Sequence, residues 1–324
     1  MRRRLAPILS ALLAVGALVT GCGGDRAVPQ TPPAAAVHPA PPEFEELTAD
    51  DAQVDQRCDT EATVAPGPLP APGAMPAGSR MAEIVANGRV RVGVDQNTYM
   101  FGFRNPISGR IEGFDIDLAR EISRALFGDP DRVELRSVTA AERLPALRDE
   151  QVDLIVRTFS ATCDRRREAD FSAVYYRAAQ RILAPKGSGI RAGADLAGKR
   201  VCVTKGTTAA APLFALPTPP TVFGVTNWTD CLVALQQGHV DAVSGDDPIL
   251  YGLVQQDRNL EVVGEPIWTG SYAVGMAKDQ TDLVRFVNAV LERMRADGTW
   301  QRLYDTHLAA LGPSPGPPVP RYTA

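Results

Sequence analysis

The chain has 324 residues, 34 Lys and Arg against 38 Asp and Glu, a net charge of -4, and only 6% aromatic residues. Such an acidic chain offers no basic stripe to meet phosphates, which excludes a nucleic-acid binder. With three histidines scattered at 38, 239 and 307 and no CxxC spacing, neither a metal centre nor a cofactor is expected.

Arg2, Arg3 and Arg4 precede an uncharged, mostly apolar run from Ile8 to Val19. That run is shorter than the roughly 20 residues a spanning helix needs, so residues 1–21 read as a signal peptide. It ends in Val19-Thr20-Gly21-Cys22, the pattern of a bacterial lipobox, in which Cys22 is acylated and becomes the new N-terminus. Two or more acyl chains give stable anchoring, which places the mature chain on the extracytoplasmic face of the cell membrane. Removing residues 1–21 takes away three arginines and no acid, so the net charge moves from -4 to -7.

Residues 22–79 are rich in Pro and Ala, with Pro32-Pro33, Pro41-Pro42 and an alternating run from Pro66 to Pro72. They bury too little apolar surface to offset ordering entropy and read as an extended tether; residues 312–324 read as a Pro-rich tail. The folded part is then about 80 to 310, enough for two lobes.

Within it, strands and helices alternate, which predicts mostly parallel sheets flanked by helices. Val90, Val92 and Val94 open a strand, and Phe101 to Phe114 reads as a hairpin around Asn105-Pro106 and Ser108-Gly109. Asp115 is expected to cap a helix whose face carries Leu118, Ile122 and Leu126. Val133 to Val138 is a strand; Thr139 and Glu142 form a capping box for a short helix that Pro145 bends or shortens. Asp153 to Phe159 is a strand again.

A weak repeat links Ala146-Leu147 and the strand Val152 to Val156 with Ala234-Leu235 and the strand Val240 to Val243. Each copy is helix, turn and strand, and each strand ends in polar residues: Thr158 and Ser160, then Ser244 and Asp246. Two copies suggest two similar lobes, with a ligand beyond the carboxyl ends of their strands. A last long helix from Thr281 to Asp297, stopped by Gly298, carries a core stripe from Leu283 to Met294, and a short helix with Trp300 follows.

Besides Cys22 there are Cys58, Cys163, Cys202 and Cys231, an even number that in an exported chain favours disulfides with three possible connectivities. Cys202 with Cys231 is the preferred pair, one on a short strand and the other opening the next helix. Cys58 with Cys163 would then staple the tether to the first lobe.

Several stretches together carry a resemblance. They include Val92-Gly93-Val94-Asp95, Gly113-Phe114-Asp115-Ile116-Asp117-Leu118-Ala119, Asp164-Arg165-Arg166-Arg167 with Asp170-Phe171-Ser172, and Asp195-Leu196-Ala197-Gly198-Lys199 with Gly206-Thr207-Thr208. In this order, from about Val90 to Leu308, the chain resembles the polar amino acid-binding proteins of bacterial ABC importers, extracellular solute-binding protein family 3. The resemblance implies an α/β, two-lobed periplasmic-binding-protein-like fold, each lobe a mostly parallel sheet flanked by helices. Two crossing strands near Gln180 to Ala184 and Thr269 to Val274 would join lobe 1, at 80–182 and 268–311, to lobe 2, at 183–267. It implies a monomer that binds a small amino acid and docks on an ABC permease or a membrane sensor protein, and it implies no enzyme.

The resemblance also places a site. Arg165 would hold an α-carboxylate through its planar fork, with Arg166 and Arg167 solvated. Thr158 and Ser160 would offer backbone and hydroxyl groups, and Thr207 and Thr208, where a lobe 2 helix is expected to begin, would offer free N–H groups. Asp246 would meet the ammonium, with Asp95 as a lobe 1 neighbour and Asp247 as a competitor. Arg143 matches an arginine of glutamate- and aspartate-binding members and would pair with a side-chain carboxylate, with Arg157 as an additional candidate. The family's stacking aromatic is replaced by Thr98, so Tyr99 or Phe101 would have to substitute. The long tether and the Cys202 and Cys231 pair look most like the glutamate/glutamine-binding lipoproteins of actinobacteria. No nucleophile motif or phosphate loop supports catalysis.

Overall fold

The computed structural model describes residues 39–323, so the expected signal peptide, Cys22 and the start of the expected tether lie outside the described residues. Two sheets dominate. In the first, Val90–Val94 runs parallel to both Val133–Ser137 and Leu154–Ile155, and Gly275–Ala277 lies antiparallel beside Leu154–Ile155 and Ala169–Phe171. In the second, Arg200–Thr204 runs parallel to Thr221–Val225 and Ala242–Asp246. Val90, Val92 and Val94 lie on one face of their strand and are fully buried there. The sequence from Phe101 to Phe114 gives the expected hairpin, Gly102–Arg104 against Ile111–Glu112.

The two lobes are joined by Tyr176–Pro185 and Leu260–Tyr272, which pair antiparallel along their length. The register shifts between Gln180 and Ile182: Gln180 faces Trp268, whereas Ile182 faces Val263. This irregularity leaves 264–267 outside the pairing and separates the halves of the ribbon that serve the two cores.

Each lobe has its own core. In lobe 1 the helix Thr281–Ala296 buries Leu283, Phe286, Val287, Val290, Leu291 and Met294 against Phe114–Phe127, the stripe read from spacing. Each such side chain contributes about 1.5–3 kcal/mol on burial. Lobe 2 packs Val201, Val203, Leu213, Val222, Leu235 and Val243 in a separate cluster. A third, small cluster around Leu147, Ile155, Phe159 and Phe171 lies behind the cleft.

Three expectations are corrected. Asp115 does not cap its helix; Phe114–Phe127 is capped by Gly113, and Asp115 is buried one residue inside. No helix begins at Thr207; the chain turns through 205–210 and the helix Ala211–Phe214 follows. The tether is not extended from Phe44 onward, nor is the tail free. Glu45–Glu46 adds an antiparallel edge to Thr221–Val225, and Ala62–Val64 pairs in parallel with Arg321–Thr323. Bulk composition masked the few residues that anchor these segments: Phe44 stacks on Phe223 at 4.6 Å, and Cys58 is bonded to Cys163. Cys202 is bonded to Cys231, so both preferred disulfides are present.

Candidate functional site

Between the lobes, Arg143, Arg157, Thr158, Ser160 and Arg165 face Thr207, Thr208, Trp228 and Asp246 across one polar cleft. The lobe 1 side is built where two strands end and two short helices begin. The capping box is formed as read: Thr139 N–H donates to Glu142 at 2.7 Å, and Glu142 N–H donates to the Thr139 hydroxyl at 3.3 Å. It starts the helix Arg143–Arg148 at the arginine itself. Arg165 stands on the helix Cys163–Glu168, whose first residue carries the disulfide.

The two guanidiniums are held by backbone oxygens. Arg143 donates to the carbonyls of Ala140 at 2.8 Å and Gly206 at 2.8 Å. Arg165 donates to the carbonyls of Ser160 at 2.7 Å and Gly206 at 3.0 Å. Both also lie over one ring, Phe159, with Arg143 at 4.4 Å and Arg165 at 5.1 Å from its centroid. The ring face attracts cations, so Phe159 is a shared platform. Among the described residues neither arginine has a carboxylate in salt-bridge contact. Burial first, then the charges of Arg165 and Arg157, push the Arg143 guanidinium well below its ordinary value. Burial pushes Arg165 down to about 10. Arginine stays protonated in proteins, so these shifts express the cost of confining two buried cations, which a bound anion would relieve.

Arg157 is different. Its Nη2 is 2.9 Å from Asp95 Oδ2 and its Nε donates to the Val138 carbonyl, both residues being nearly fully buried. Asp95 also accepts from the Gln96 and Asn97 N–H groups and from the Thr98 hydroxyl. The lobe 1 neighbour Asp95 is therefore paired with Arg157, and it is not among the residues lining the cleft. Thr98, where an aromatic was missing, completes this cluster instead.

Thr158 has φ 38°, a left-handed conformation that costs a threonine strain, and its N–H donates to Asp115 Oδ2 at 2.8 Å. Tyr175 donates to the other oxygen of Asp115 at 2.8 Å. Burial raises the Asp115 pKa to about 7. Asp115 thus fixes the strained turn that points Thr158 into the cleft.

From lobe 2 comes Asp246, which accepts from Tyr272 OH at 2.5 Å and whose pKa burial raises to about 6. Its competitor Asp247 accepts the Ala179 N–H and is outside the lining. The Thr207 hydroxyl donates to the Thr204 carbonyl at 2.6 Å, which tightens the turn. Arg166 is not solvated as expected: it donates to the Thr60 carbonyl at 2.7 Å, while the exposed Arg167 pairs with Asp55.

Neither proposed aromatic substitute reaches the cleft. Phe101 is buried among Phe114, Tyr176 and Tyr272, and Tyr99 is on the outer surface against Phe103. The apolar wall is Trp228, at the start of Trp228–Gln236, whose indole lies on Gly245; a Cβ there would meet it at 2.7 Å. Reading the sequence missed Trp228, Phe159 and Asp115. Only Asp115 had a signal, an acid inside an apolar helix stripe.

A bilobed cleft closed by opposed polar groups suits capture of a small zwitterion. The model of the bacterial extracellular solute-binding proteins, family 3, matches residues 90–310. The chain belongs to that family. A glutamine-binding protein of an ABC transporter from Bacillus subtilis is 35% identical over 225 residues, 69% of this chain and 82% of that protein. A glutamate-binding protein from Corynebacterium efficiens is 30% identical over 243 residues, 71% of this chain and 82% of that protein. Among solved structures, a solute receptor for L-cysteine from Neisseria gonorrhoeae superposes with a TM-score of 0.69 at 29% identity, covering 72% of this chain and 97% of that one. These solute-binding relatives share the two-lobed α/β fold described above.

Proposed function

We propose that this family 3 protein captures glutamate or aspartate by closing its lobes, and delivers it to an ABC importer from a lipid anchor at Cys22. The observation that carries the ligand class is the charge inventory of the cleft. Arg157 is neutralised by Asp95, which leaves Arg143 and Arg165 with Asp246 as the one acid among the residues lining the cleft. Two cations and one anion match a ligand with two carboxylates and one ammonium. An amide side chain would leave one buried guanidinium unpaired, which is costly. In this reading Arg165 takes the α-carboxylate with the 158–160 turn, Asp246 takes the ammonium, and Arg143 takes the side-chain carboxylate. Trp228 covers the aliphatic carbons.

A second reading, glutamine, has one observation in its favour: relatives at 35% and 36% identity are named glutamine-binding proteins. Calorimetric titration of the chain from Gly23 with glutamate, aspartate, glutamine and asparagine separates the two. The acids are expected to bind most tightly, Arg165→Ala to abolish binding of all four, and Arg143→Ala to cost the acids at least about tenfold more than the amides, about 1.4 kcal/mol. Glutamine binding tightest with Arg143→Ala silent would refute the acidic assignment.

A further inference from the structure

Residues 43–64 connect the two lobes a third time, on the cleft side, and reach the paired strands of the hinge only at their far end, where Glu61 pairs with Arg177 and accepts from the Ser271 hydroxyl. On lobe 2, Phe44 stacks on Phe223, Leu47 N–H donates to the Val222 carbonyl at 2.8 Å, and Lys205 pairs with Glu45 at 3.0 Å. Ala52, at the end of a short 3-10 turn, is buried in the lobe 2 core. On lobe 1, the Asp55 carbonyl accepts the Cys163 N–H at 2.8 Å, Asp55 N–H donates to Asp164 at 3.1 Å, and Cys58 is bonded to Cys163. Only Gln53 and Val54 lie between the two anchorages, and they run beside the same Arg143, Arg165 and Thr207 that line the cleft.

The anchorages are unequal. The lobe 1 end is covalent and fixed to the helix that carries Arg165, whereas the lobe 2 end is noncovalent throughout: a two-residue strand pair, the packing of Phe44, Leu47 and Ala52, and exposed ion pairs. Two residues of free chain add at most about 7 Å of reach. When the lobes part at the Gly206 contact, the strain falls on the weaker end.

We propose that residues 43–54 form a latch. It stays with lobe 1 through Cys58 and Cys163, seats on the edge strand Thr221–Val225 when the lobes close, and unseats when they open. It therefore favours the closed form and slows ligand release without touching the ligand, in the way any contact made only in one state shifts a two-state equilibrium. The latch rests on the proposed reading only in that closure traps a ligand.

The test compares the wild-type chain with Phe44→Ser/Leu47→Ser, which removes the apolar part of the seat outside the cleft. Glutamate is expected to slow amide exchange at Leu47 in the wild type, a measurement that needs no variant to fold. The double variant is expected to release glutamate about tenfold faster, a change of about 1.4 kcal/mol, and to show a larger ligand-free radius of gyration by X-ray scattering while it keeps a cooperative melt. Equal Leu47 exchange with and without glutamate, together with an unchanged release rate, would overturn the latch and make 43–54 a static part of lobe 2. Should no amino acid bind, the functional reading fails by itself, and the ligand-free scattering still decides: a larger radius in the variant upholds the latch, and an equal one overturns it.

Discussion

Gly206 separates the cost of a backbone conformation from the cost of closing. It has φ 71°, and a Cβ there would lie 2.7 Å from both the backbone N and Cα of Ala141, across the cleft in lobe 1. Gly206→Ala therefore carries two penalties. The left-handed conformation costs about 1–2 kcal/mol whether the lobes are open or closed, a fall of about 2–8 °C in Tm for a protein of this size. The clash exists only in the closed form. Overpacking of this kind costs about 1–3 kcal/mol, about 5- to 150-fold in ligand Kd. Gly198→Ala is the control, because Gly198 has φ 68° with nothing within 4 Å of its Cβ position. Scanning calorimetry is expected to show similar losses of Tm for both ligand-free variants, and isothermal titration with glutamate to show weaker binding for Gly206→Ala alone. Equal affinities for the two variants would refute the reasoning, because the bound form would then not bring Gly206 onto Ala141.

Asp246→Asn tests the acid with a pKa raised to about 6. Its native pKa lies above the ordinary 3.8, so the stability it contributes is complete below pH 4 and lost as pH rises through 6; about two pKa units correspond to about 3 kcal/mol at most. Ligand-free Asp246→Asn should therefore melt above the wild type at pH 7.5 and level with it at pH 4, the separate titration of Asp115 being common to both. Glutamate affinity should rise from pH 5 to pH 7 in the wild type and be weak and flat in the variant. Asp95→Asn leaves the Arg157 charge buried without a partner and should destabilise the chain by about 3–5 kcal/mol in urea titration, a loss unlike that of a cleft residue. Phe159→Leu removes the ring beneath both guanidiniums and should weaken binding of the acids about tenfold, consistent with cation–π contacts of about 0.5–2 kcal/mol each.

Lobe 1 was legible because its determinants are local. Alternating Val90, Val92 and Val94, the box at Thr139 and Glu142, and the stripe of Thr281–Ala296 each specify structure from neighbours a few residues away. Arg165 and Asp246 were placed by resemblance to motifs. Partners set by long-range packing were not legible. Nothing in the spacing links Asp95 to Arg157, 62 positions later, or shows that one ring serves Arg143 and Arg165 together. The docking of Phe44 was hidden for another reason. A few anchors in a long Pro- and Ala-rich segment barely alter its composition, yet an open sheet edge and one disulfide suffice to order it.

The same charges that select a ligand also bear on when the lobes close. In the closed arrangement both guanidiniums donate to the single carbonyl of Gly206, which is neutral and belongs to the opposite lobe. That carbonyl satisfies donors but cancels no charge, so Arg143 and Arg165 repel, with Asp95 acting on Arg143, Asp164 on Arg165, and Asp246 the one acid in the cleft lining. A dicarboxylic ligand brings two carboxylates and one ammonium, which removes the imbalance only when both lobes contribute. On the proposed reading, binding and closure then share one electrostatic term: the ligand has its differential affinity for the closed state because that state confines cations that need it. It follows that a lone carboxylate such as acetate, which meets one arginine and no acid, should compete poorly with glutamate even at high concentration, and a competition titration against glutamate measures this directly.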